Sequence, residues 1–87
     1  MDNFSVIYDN MLKNYNELER VMGSLYEKED KENFFQMTEV AKGMLLTQME
    51  LVNAYCPSEM KESLISNIET KEATLSKAIE DAKEKAL

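Results

Sequence analysis

Apolar residues recur along the first third of the chain at Phe4, Tyr8, Met11, Tyr15, Leu18, Met22 and Leu25. The spacing alternates between four and three without a break, which is the seam of a helix packed along its length against others. Ile7, Leu12, Val21 and Tyr26 widen that stripe, as a bundle helix requires. The pattern predicts a helix over residues 4–28, with Asp2 or Asn3 able to cap its first turn. Continued past Leu25, the same register falls on Glu29, Glu32, Gln36, Glu39 and Gly43, none with an apolar side chain. A break near residues 29–33 is therefore expected, with Asn33 and Gln36 at capping-box spacing. The alternative is one rod of roughly 75 Å, about 50 residues at 1.5 Å each.

The second predicted helix covers residues 34–55. At 100° per residue, Val40, Leu51, Met44, Tyr55, Met37, Ala41, Phe34, Val52, Leu45, Met49, Phe35 and Leu46 occupy well over half of its circumference. Glu39, Gly43, Glu50 and Asn53 mark the polar remainder. So wide an apolar arc needs two neighbours, or one neighbour and a ligand, so this helix belongs in the middle. Pro57 disfavours helical geometry at Cys56 and can open a third helix, residues 57–85. Its stripe is Met60, Leu64, Ile65, Ile68, Leu75, Ile79, Ala82 and Ala86, interrupted at Glu72. The alanine-rich end buries less and is expected to fray. The fold expected is all-α: a single domain, residues 1–87, of three antiparallel helices running up, down and up, possibly completed by dimerisation.

Composition agrees. Of 87 residues, two are Gly and one is Pro, while 17 acidic residues outweigh 10 basic ones for a net charge of −7. A core of this size is marginal, so a partner or second copy would add stability. No apolar run approaches the roughly 20 residues of a membrane span. No basic stretch precedes an apolar one at the N-terminus as in a secretory signal. The acid excess disfavours direct nucleic-acid binding, which depends on clustered Lys and Arg. A cytoplasmic protein is expected.

Candidate chemistry is sparse. With no His, the commonest general base and metal ligand is missing, so neither an enzyme nor a metal or cofactor site is expected. Cys56 is the single cysteine; it reads as a small half-buried residue before proline, with an intermolecular disulfide as the minor alternative. Seven methionines are unusual for this length. Met37, Met44 and Met49 lie on the wide arc of the second helix and suit either core packing or a pliable groove for a partner helix. Tyr8 and Tyr15 fall on the first seam, either as the rim of the core or as interface anchors. The expected partner-binding set is therefore Tyr8, Tyr15, Met37, Met44 and Met49, and the expected function is a non-enzymatic adaptor, chaperone or inhibitor that binds another protein. A self-assembling subunit and an acidic inhibitor that mimics nucleic acid are the alternatives. In size and composition the chain resembles small helical chaperones and adaptors of bacterial secretion systems and small phage-encoded inhibitors, a likeness of shape that does not fix function.

Overall fold

Each of the three apolar stripes becomes a helix. The computed structural model describes residues 3–85, and in it α1 spans Asn3–Glu27, α2 Lys31–Tyr55 and α3 Ser58–Lys85. They form the expected antiparallel three-helix bundle, with α2 in the middle. The capping role considered for Asp2 and the last stripe position, Ala86, lie outside the described residues.

The first turn falls earlier than the sequence pattern suggests. α2 begins at Lys31 and is capped by Asp30, not Asn33. Asp30 Oδ1 accepts the Asn33 N–H at 3.3 Å and its Oδ2 accepts from Asn33 Nδ2 at 2.8 Å. A carboxylate at this position satisfies otherwise unpaired amides and faces the positive end of the helix dipole. Just before it, Glu29 takes a left-handed conformation, φ 60°. The Asp30 N–H reaches back to the Leu25 carbonyl at 3.0 Å and the Glu29 N–H to the Tyr26 carbonyl at 3.1 Å. That pairing is a Schellman motif, normally built on glycine. The chain reverses here without the residue that usually announces it.

The second turn behaves as Pro57 dictates. Cys56 is extended, and its N–H still closes onto the Val52 carbonyl at 3.1 Å. Pro57 stands one residue ahead of α3 instead of opening it, and its carbonyl accepts the Met60 N–H at 3.0 Å.

The core is contributed by all three helices: Phe4, Tyr8, Tyr15 and Met22; Phe34, Ala41, Leu45 and Val52; Ile68, Leu75, Ile79 and Ala82. Two polar side chains, Thr38 and Gln48, are buried among them. The sequence pattern places neither there. Thr38 returns its hydroxyl to the Phe35 carbonyl at 2.6 Å, a local bond that lets threonine sit inside a helix bundle. The gap at Glu72 is covered by Lys71, whose Nζ lies 5.4 Å from the Tyr15 ring centre. Its aliphatic stem covers apolar surface while the ammonium stays wet. The last described turn of α3 meets the start of α2 and the end of α1. Lys31 Nζ donates to the Lys85 carbonyl at 2.6 Å, and Lys85 Nζ sits 4.9 Å from the Tyr26 ring centre.

The bundle is open. α2 packs closely on both neighbours, whereas the α1 and α3 backbones scarcely approach each other. The molecule measures 48 × 19 × 14 Å with a radius of gyration of 14.4 Å, against about 12 Å for a compact domain of this length. Its accessible surface is 5997 Å², above the roughly 5,300 Å² typical of a folded monomer of this mass.

Candidate protein-interaction surface

Two long faces remain without a covering element. The first is the trough between α1 and α3, about 440 Å³, floored by Tyr15, Met22, Tyr26 and Leu75 and edged by Glu19, Glu27 and Asp81. Lys71 and Lys85 reach over its tyrosines. Burial pushes the Tyr15 phenol up to about 12, with the Glu19 and Glu72 carboxylates adding to the effect. Tyr8 is raised as well, by burial first and then by Cys56. Both phenols are therefore neutral fillers of the space left where α1 and α3 diverge. Lys85 is also raised, chiefly through its bond with Tyr26. These shifts hold groups in the charge state they have at neutral pH, so they prime no acid or base.

The second face lies on the outer side of the α1–α2 pair. A shallow groove of about 390 Å³ runs between Met11 and Asn14 of α1 and Val40, Gly43, Met44, Thr47 and Gln48 of α2. On α1, helical periodicity extends this strip through Asn3, Ile7, Asn10, Leu18, Val21 and Leu25; on α2 it extends through Gln36, Met37, Leu51 and Ala54. The same periodicity puts charged residues on its two outer edges, Glu17 on α1 and Glu39 and Glu50 on α2. Ile7 (47% exposed), Val21 (39%) and Val40 (49%) present large apolar side chains there. Among the described residues, the ion pairs of Glu17 with Arg20 and Glu39 with Lys42 lie along those edges. An apolar centre with a polar and charged margin is the composition of protein interfaces.

Gln48 lies at the base of this groove. Its side chain is fully buried, its Nε2 donates to the Met11 carbonyl only at the long distance of 3.5 Å, and among the described residues its Oε1 has no hydrogen-bond partner. Gly43, on the outer edge of the groove beside Glu39 and Glu50, has open space where a Cβ would project.

The five residues singled out from the sequence do not share one surface. Tyr8 and Tyr15 are buried inside the bundle. Met37 and Met44 are half-buried on the flank of α2 that meets α1, and Met44 lines the groove. Met49 is half-buried on the opposite flank, the side from which Lys31 reaches α3. Sequence reasoning missed Asn14, Val40, Gly43 and Thr47. A signal for their face existed: Ile7, Met11, Asn14, Leu18, Val21 and Leu25 form a second four-three alternation on α1, offset from the first.

Among the described residues there is no cluster of His, Cys, Asp or Glu able to hold a metal ion, and no helix long and apolar enough to cross a membrane. Cys56 is a free, half-buried thiol with Sγ 3.3 Å from the Pro57 carbonyl. Compared with known protein families, with curated proteins and with solved structures, the chain matches none.

Proposed function

We propose that this protein is a small, non-enzymatic protein-interaction module that binds another protein chain through the outer α1–α2 face. The observation that carries the reading is the α1–α2 groove with Ile7, Val21 and Val40 exposed along it. Burying a Val or Ile side chain completely is worth about 1.5–3 kcal/mol, and roughly half of that is still unrealised at each of these positions. Helices of 25 residues present their apolar positions to a partner helix as ridges and grooves, the usual mode of helix-on-helix recognition. An adaptor, chaperone or inhibitor role is consistent with such a surface. A cytoplasmic setting is part of the proposal; a single cysteine, Cys56, is compatible with a reducing compartment.

The test is a photo-crosslinking amino acid installed in cells at Gly43, on the face, and separately at Ser66, on the exposed side of α3. Adducts to a protein chain at position 43 and not at 66 are expected. No adduct at 43, or equal adducts at both positions, would overturn the reading.

A further inference from the structure

We propose that the trough between α1 and α3 receives a basic amphipathic helix of another protein, which lies along it as a fourth helix. The site is separate from the α1–α2 groove, on the opposite flank of α1, so it goes beyond the function proposed above. The trough runs most of the length of the bundle. A cavity of about 310 Å³ between Leu12 and Leu64 leads into the one of about 440 Å³ over Tyr15, and this continues past Tyr26 into a third of about 590 Å³ at Ala82 and Lys85. From Tyr8 to Tyr26 the distance is about 27 Å, the length of a helix of about 18 residues. Gly23, Thr74 and Ala78 form part of its walls, and a Cβ at Gly23 would meet nothing within 4 Å. α2 packs on both α1 and α3, which do not close on each other. A helix laid between them touches both, as the fourth member of a four-helix bundle does.

Charge decides what kind of helix fits. Glu19 and Glu27 edge the trough on α1 and Asp81 edges it on α3. Among the described residues the ion pairs are Glu17 with Arg20 and Glu39 with Lys42, so none of these three carboxylates is in one. Two cations of the chain do reach into the trough, Lys71 over the Tyr15 ring and Lys85 over the Tyr26 ring. The balance stays negative, and the Glu19 and Glu72 carboxylates add to the rise of the Tyr15 phenol on the floor. Farther out, Asp9 and Lys13, Glu17 and Arg20, and Lys77 and Glu84 balance in pairs, so they do not offset the rim. Lysine or arginine on the flanks of an incoming helix meets the free carboxylates, and its apolar stripe covers the half-buried Leu12, Tyr26, Leu64 and Ala78. The two tyrosine rings already hold ammonium groups, so the floor itself favours cations. The net −7 of the chain attracts a basic partner at long range and repels nucleic acid or an anionic membrane surface.

The experiment is fluorescence anisotropy with two labelled helical peptides of about 18 residues. Both carry one leucine stripe at four-three spacing; one has lysine on the flanks of the stripe and the other glutamate. Each is titrated with the full chain at low and at high salt. The chain is used as wild type, as the trough variant Glu19→Gln, Glu27→Gln, Asp81→Asn, and as the control Glu17→Gln, Glu39→Gln, Glu50→Gln. The control removes the same charge from the edges of the α1–α2 face, and circular dichroism confirms that each variant is folded. The lysine peptide is expected to bind wild type and control alike, and the trough variant about tenfold more weakly. High salt is expected to weaken its binding to wild type, and the glutamate peptide is expected not to bind. No binding of the lysine peptide, equal binding of the two peptides, a trough variant that binds as tightly as wild type, or a control that loses as much as the trough variant would overturn the proposal. None of the substituted residues is Ile7, Val21 or Val40, so its failure leaves the α1–α2 reading to its own cross-linking test.

Discussion

Replacing Gln48 with methionine should make the protein more stable. The two side chains are unbranched and close in volume, so the swap keeps the packing. What changes is polarity. Gln48 Oε1 is buried without a partner, and an unsatisfied buried acceptor costs about 1–3 kcal/mol. Against that stands the bond from Nε2 to the Met11 carbonyl, which at 3.5 Å is at the outer limit and contributes less than a typical bond of about 1 kcal/mol. The net expectation for Gln48→Met is a gain of about 1–2 kcal/mol, or roughly 5–10 °C in melting temperature for a domain of this size. The assay is urea unfolding followed by circular dichroism on dilute protein. An unchanged m-value is required for the comparison. A loss of stability on Gln48→Met, with m unchanged, would show that the amide oxygen is satisfied in the folded chain and would refute the reasoning.

Two further predictions concern the turn and the alkaline limb of stability. Glu29→Gly should stabilise the fold by about 1 kcal/mol in the same assay, because glycine removes the left-handed penalty at φ 60° and gives back only part of it as unfolded-chain entropy; a loss would mean that the Schellman turn does not form. Tyr15 titrates at about 12 when folded against 10.0 ordinarily, so the unfolded chain releases its proton first. The stability this provides is complete below pH 10 and is lost as pH rises from 10 to 12, an effect of order 2 kcal/mol. Tyr15→Phe should flatten that part of the profile, and an unchanged alkaline slope in the variant would contradict the burial of the phenol.

The sequence carries most of the fold through periodicity. The four-three alternation from Phe4 to Leu25 predicts α1, and four of its seven positions, Phe4, Tyr8, Tyr15 and Met22, are buried. Pro57 ends α2 for a steric reason that any reader of the chain can apply. The first turn is harder. Its reversal depends on Glu29 adopting a conformation usually left to glycine, so no local residue marks it, and the Asn33 capping pattern draws attention three residues too late. Gln48 and Thr38 are invisible as core residues because polarity alone assigns them to the surface; tertiary packing overrides that assignment.

The candidate surface is legible only in part. Tyrosine is common at interfaces, but Tyr8 and Tyr15 are needed to fill the width between two helices that diverge, and this divergence is a tertiary fact. Met44 does lie at the groove. The stronger signal is the second apolar row on α1, from Ile7 to Leu25, lying beside Val40 and Met44 of α2. It can be read from the sequence only after α1 and α2 have been set side by side in the correct register.

The central proposal, that another protein chain binds at the apolar groove between α1 and α2, is tested most directly by photo-cross-linking in cells from position 43 in the wild-type background and in a Val40→Glu variant shown by circular dichroism to be folded. Adducts to a protein are predicted from the first, and their loss from the second, because a carboxylate at the contact must be desolvated without a partner. No adduct in the wild-type background, or adducts that Val40→Glu leaves unchanged, would contradict it.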